Sequence, residues 1–164
     1  MKEHGSLQDY FYSDTFAVKR ISQNDVPEVI NLINHAFWYQ DEAKGAKRID
    51  AAGVQKKMDN SEFYVWRDGA GELAACCYVT LGESKLHFGL LAITDKLRGK
   101  GLAPAIMTAT EGYGQALGKE MLELDYMSLS PWLGEYYERY GFEKTGFVED
   151  IGWSKLIQMQ KKLS

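Results

Sequence analysis

Apolar positions along the chain repeat with a period that switches between two and about 3.6 residues, and the switches divide it into elements. Phe16, Val18 and Arg20 alternate with Ala17, Lys19 and Ile21 and predict a first strand. Asn24, Asp25 and Pro27 then open a helix, since proline sacrifices no hydrogen bond in a first turn. Val26, Val29, Ile30, Ile33 and Phe37 share one face, so the helix spans about 25–38. Ile49, Val54 and Met58 predict a weaker helix near 51–59. Residues 62–81 read as a hairpin turning at Asp68-Gly69, and Lys85 to Thr94 as a third strand of the same meander. Leu102, Ile106, Ala109, Tyr113 and Leu117 return to helical spacing over 101–117, with Gly118 as the cap. Met121, Leu122 and Leu124 form a short strand. A helix from Pro131 to Tyr140 follows, stopped by Gly141, and then two strands, Phe142 to Val148 and Ser154 to Leu163. The order is β-α-α-β-β-β-α-β-α-β-β. Residues 1–14 lack periodicity and read as an N-terminal arm before one domain, 15–164.

Composition narrows the class. The 164 residues, 45% hydrophobic and 26% charged, suit one globular core. A net charge of −4 speaks against a protein that grips nucleic acid along its backbone. The longest apolar run, Phe88 to Ile93, falls far short of the roughly 20 residues that span a bilayer, and no secretory signal is visible. The expectation is a cytoplasmic protein with no membrane and no nucleic-acid partner. Cys76 and Cys77 are neighbours on a strand, so they point to opposite faces and read as buried free thiols. With three histidines and no close cluster of ligands, no metal is expected.

The most informative stretch is Arg98-Gly99-Lys100-Gly101-Leu102-Ala103, where a strand gives way to a helix. Glycines let the backbone approach a ligand, and the first amides of a helix have no intrahelical acceptors. The turn therefore suits an anion, a diphosphate included, although the same residues occur in ordinary surface turns. A Walker loop would need Gly-Lys-Ser/Thr, and a Rossmann fingerprint an early βαβ unit; neither is here.

Arg98, Gly101 and Ala103 match position by position the Arg/Gln-x-x-Gly-x-Gly/Ala motif of the GCN5-related N-acetyltransferase (GNAT) superfamily, which this chain resembles. Leu91-Ala92-Ile93 resembles the family's Leu-x-Val strand, and Tyr136-Tyr137-Glu138-Arg139-Tyr140-Gly141-Phe142 its Leu-Tyr-x-Lys-x-Gly-Phe segment. Together the motifs cover roughly residues 88–147. The resemblance implies an α/β (α+β) acyltransferase fold, a mixed, mostly antiparallel sheet of about seven strands flanked by about four helices. It implies acetyl-coenzyme A as cosubstrate, its pyrophosphate held by amides of Gly99, Lys100, Gly101, Leu102 and Ala103. The backbone of Leu91 to Ile93 would pair with the pantetheine arm. It also implies an amine acceptor, a small molecule or a peptide. Two departures stand out: Pro104 removes an amide some members aim at the phosphates, and Ser130 replaces a frequent asparagine.

Tyr137 falls on the tyrosine that in this family often protonates the departing thiolate. Trp132, Tyr136 and Tyr140, spaced by four, are expected to form a core stripe from which Tyr137 is offset. The glutamate that many members carry as general base falls on Gly89 here. His87 is the candidate base, two residues away on the same strand face, and imidazole exchanges protons near neutral pH. Asp125, Glu123 or ordered water are alternatives, and Gly89 could widen the acceptor site. Phe37, Trp38, Tyr39, Asp41 and Glu42 with the basic run Lys44, Lys47, Arg48, Lys56 and Lys57 border that site by analogy. Carboxylates among aromatics suit a cation; the cluster containing Arg48 would instead suit an acceptor with a carboxylate or phosphate, and a plain solvated helix face accounts for the same residues. The rival reading is a catalytically idle acyl-coenzyme A sensor, and a homodimer is compatible with either.

Overall fold

The computed structural model describes residues 5–163. Seven strands form one sheet: β1 (Ala17–Arg20), β2 (Glu62–Arg67), β3 (Leu73–Leu81), β4 (Lys85–Ile93), β5 (Met121–Met127), β6 (Glu143–Asp150) and β7 (Lys155–Lys162). The helices are α1 (Val26–Ala36), α2 (Asp41–Lys44), α3 (Ala51–Asn60), α4 (Leu102–Ala116) and α5 (Pro131–Glu138). The strand order is β1-β2-β3-β4-β5-β7-β6, antiparallel throughout except for β4 and β5. Among the α-helices of the described residues, α2 alone has no sequence counterpart; it is a single turn closed by Gly45 at φ +76°.

Helices cover both faces of β2 and β3, which explains why Phe63 to Trp66 and Ala74 to Tyr78 are buried without alternation. On one face Tyr64, Trp66, Cys77, Leu86 and Phe88 pack beneath Ile106 and Tyr113 of α4. On the other, Phe63, Val65, Cys76 and Tyr78 pack beneath Val29 and Ile33 of α1 and Val54 of α3. The two thiols thus occupy opposite sides of the sheet, both free. The 1–14 segment falls partly, at residues 1–4, outside the described residues. Its one-turn 3-10 helix, Leu7–Tyr10, lies on α4, and Leu7 is fully buried with its amide donating to the Tyr64 hydroxyl at 3.2 Å.

The entry to α1 is pinned by charge. Arg67 on β2 donates to Asp25 (2.7 Å) and Glu28 (2.9 Å), and the Asp25 carboxylate also accepts the Ser22 amide (2.8 Å). Burial pushes the Asp25 pKa up, but the hydrogen bonds from Arg67 and Ser22 outweigh it and hold the group below its ordinary value. Arginine stays charged at any working pH, so the pH dependence lies with the carboxylate. Its stabilisation is complete above the unfolded-state value, about 3.9, and is lost as pH falls through the lower folded-state value. Asp25→Asn is expected to cost about 1–3 kcal/mol at neutral pH and to flatten the acid limb. Urea melts from pH 7 downward check this, since the gap between variant and parent should shrink as the pH falls below about 3.9.

Candidate active site

The chain turns from sheet to α4 through a short 3-10 turn, Asp95–Leu97, and then Gly99 and Gly101 at φ +73° and +89°. L-residues rarely adopt such angles, and an added Cβ at either glycine would meet nothing within 4 Å. The turn therefore faces open space. The Gly101 carbonyl accepts the Ala105 amide at 3.2 Å, so the amides just after Gly101 open the helix without intrahelical acceptors. Pro104 withdraws one donor and leaves Leu102 and Ala103. Arg98 leans back toward Asp95, 3.4 Å between Nη2 and Oδ1. Free amides at a helix start, with a guanidinium alongside, make an anion cradle.

Beside the turn the sheet comes apart. β4 pairs with β5 only from Lys85 to His87, and beyond that the two strands are unpaired. The cause lies in β4. Between Gly89 and Ala92 it carries one residue more than β3 opposite, a bulge that puts Leu90 at φ +49°. Bulges bend strands, and a leucine in this region costs roughly 1–3 kcal/mol. A strained residue next to a cleft is a feature the sequence does not announce, because no glycine marks it. The gap is a cleft of about 1120 Å³. A smaller pocket of about 420 Å³, reaching Ala103 at the start of α4, shares Leu91, Ile93 and Tyr137 as a wall. The unpaired edge of β4 thus runs from the glycine turn into the cleft.

The expected core stripe on α5 is corrected by the structure. Trp132 is 53% exposed and Tyr140 is exposed as well, while Leu133, Tyr136 and Tyr137 face the core. The helix meets the sheet along a face rotated by one position. Tyr137 packs edge-on against Phe88, Phe142 and Tyr136 at 6.4, 5.8 and 5.3 Å between centroids. Its hydroxyl has no hydrogen-bond partner among the described residues. Burial raises its pKa well above the usual phenol range, so it remains a proton donor.

Across the cleft, His87 Nδ1 lies 2.9 Å from Glu123 Oε1. That carboxylate, 6% exposed, also accepts Lys85 (3.0 Å) and Gln160 (2.8 Å). Burial raises the Glu123 pKa, but the three donors outweigh it and keep the group ionised. An ionised, saturated carboxylate cannot serve as base. It can only accept from Nδ1, which turns Nε2 outward, 3.7 Å from Asp125 Oδ2. Asp125, 31% exposed, has its pKa raised chiefly by burial.

Gly89 does not widen the site. A Cβ there would lie 2.6 Å from the Tyr78 hydroxyl, so the phenol of the neighbouring strand fills the space a side chain at 89 would need. Burial lifts the Tyr78 pKa to about 12. Its ring stacks beside His87 at 6.2 Å and carries the Lys57 ammonium at 4.3 Å. Tyr78 was not legible as a site residue, since only strand register sets it over residue 89. Tyr39 bridges to the buried Ser130 hydroxyl at 2.7 Å and rests on Trp132, forming the rim. Of the remaining candidates, His35 pairs with Asp95 at the surface. No group of three or more His, Cys, Asp or Glu able to hold a metal occurs among the described residues, and none of their helices is long and apolar enough to cross a membrane.

The model of the acetyltransferase (GNAT) domain family matches residues 15–163. The chain belongs to this family. With it, the protein is an acyltransferase enzyme. GNAT structures share the architecture. Ard1 from Thermoplasma volcanium superposes with a TM-score of 0.72 at 15% identity, covering 91% of this chain and 98% of its own. Spermidine N-acetyltransferase from Vibrio cholerae, in complex with CoA and spermine, gives 0.71 at 15% over 92% and 97%. The ribosomal-protein-S18-alanine N-acetyltransferase from Escherichia coli gives 0.71 at 14% over 91% and 94%. At these identities the likeness concerns the GNAT fold alone. No curated protein sequence matches.

Proposed function

We propose that the enzyme transfers the acetyl group of acetyl-coenzyme A to a primary amine by direct attack while both substrates are bound. The carrying observation is the splay of β4 from β5 next to the glycine turn. It leaves one continuous surface: donor amides for a diphosphate, an unpaired strand edge for an amide-bearing arm, and a cleft where the arm would end. A residue-by-residue match to the family motifs and the family assignment support the same route.

In this reading the amides of Gly99 and of Gly101 to Ala103, with Arg98, hold the pyrophosphate, the expected Lys100 amide being donated instead to the Leu97 carbonyl at 3.4 Å, and Leu91, Ala92 and Ile93 line the pantetheine arm. His87 takes the amine proton at Nε2. Glu123 is a positioning residue that fixes the imidazole tautomer, and Asp125 stabilises the cation that forms. Tyr137 donates to the sulfur as it leaves. A thiol-release assay with acetyl-coenzyme A and a panel of primary amines tests the proposal; tight cosubstrate binding with no transfer to any amine would favour an idle sensor. His87→Gln is expected to lower kcat by about 100-fold with little change in acetyl-coenzyme A affinity. An unaltered kcat would hand proton removal to Asp125 or to solvent.

A further inference from the structure

The chain has a net charge of −4, yet its cleft is cationic. Lys44, Lys47, Arg48, Lys56, Lys57 and Arg98 line it against two carboxylates, Asp50 and Asp125. Arg98 belongs to the glycine turn. The other five come from residues 44–57, between α1 and the end of α3, on the acceptor side.

Arg48 stands apart from an ordinary solvated cation. Its Nε is buried without a hydrogen-bond partner, and no carboxylate pairs with its guanidinium among the described residues. The Phe37 ring lies against it at 5.8 Å. The backbone around it is held firmly. Asn34 on α1 grips the next residue twice, donating to the Ile49 carbonyl (2.9 Å) and accepting its amide (2.8 Å), while Lys44 donates to the Arg48 carbonyl (2.7 Å). Lys57, whose ammonium sits on the Tyr78 ring, also lacks a carboxylate partner among the described residues. An unpaired, partly desolvated guanidinium is costly, and one fixed in place at a cleft wall is ready for an anion to satisfy it.

We infer that the acceptor is a small amine that also carries an anionic oxygen group, a carboxylate or phosphonate, gripped by Arg48 with Lys57 beside it. This rests on the amine-transfer reading above and deepens it. His87 and Asp125 receive the amine end, and Tyr78 abuts both Lys57 and His87, so a compact molecule spans the two ends. A polyamine would instead set ammonium groups against Arg48 and Lys57.

The test is isothermal titration of β-alanine, 2-aminoethylphosphonate, propylamine and spermidine into protein saturated with coenzyme A. The anionic amines are expected to bind at least about tenfold more tightly than propylamine. Arg48→Met should erase that margin and leave coenzyme A affinity unchanged, which also certifies the fold. Arg48→Lys should keep part of it, and Lys57→Met should narrow it. The inference is overturned if propylamine or spermidine binds as well as the anionic amines, or if neither anionic amine binds. Loss of coenzyme A affinity in Arg48→Met would equally overturn it, by giving these cations to the cosubstrate. Thiol release from acetyl-coenzyme A separates the layers. Transfer to propylamine without preference leaves the amine-transfer reading standing and removes only this inference; transfer to no amine removes the reading itself.

Discussion

Gly101→Glu is expected to weaken acetyl-coenzyme A binding by at least about 100-fold, since like charges brought together at an interface cost several kcal/mol. Two effects combine. Gly101 sits at φ +89°, where any side chain is strained by about 1–2 kcal/mol. The new carboxylate would then enter the open space at the start of α4, the proposed phosphate site. Gly101→Ala separates the two, because it imposes the strain without the charge and should lose only a few-fold in affinity. Titration calorimetry on both variants, with thermal melts as a check on folding, reads the difference. Equal losses for alanine and glutamate would mean the turn matters for shape and not for anion binding.

Tyr137→Phe is expected to lower kcat by about 100-fold and leave acetyl-coenzyme A affinity nearly unchanged. The substitution removes only the hydroxyl. The ring contacts with Phe88, Phe142 and Tyr136, which fix α5 to the sheet, survive. Because burial raises the phenol's pKa above its ordinary value, the hydroxyl stays protonated across the neutral and mildly alkaline range. The parent enzyme should therefore show no falling limb from tyrosine ionisation up to pH about 10, the ordinary phenol value. Full activity in the phenylalanine variant would relegate Tyr137 to packing.

Much of this molecule was readable before any coordinates. Periodicity, apolar runs and turn residues located all seven strands and four of the five α-helices; most of these elements bury a face or are buried throughout, whereas β6 is exposed along its whole length. α2 escaped because one turn of Asp-Glu-Ala-Lys has no buried face to impose a period. The glycine turn was legible because positive φ needs glycine. What stayed hidden depends on partners distant in sequence. The Leu90 bulge follows from register against β3, Tyr78 reaches over Gly89 from the neighbouring strand, and Asn34 clamps Ile49 from another helix. The α5 stripe held at Tyr136 and failed at its two ends for a related reason. Three large aromatics spaced by four define a face but not which way it points, and the helix turned Trp132 and Tyr140 outward to bring Leu133 and Tyr137 against the sheet.

A crystal structure of the complex with acetyl-coenzyme A bears most directly on how the splayed strands and glycine turn are used. The account predicts the pyrophosphate within hydrogen-bond reach of the Gly101 to Ala103 amides, the pantetheine arm along Leu91 to Ile93, and the thioester beside the Tyr137 hydroxyl. Phosphates bound elsewhere, with the gap between β4 and β5 left to solvent, would contradict it.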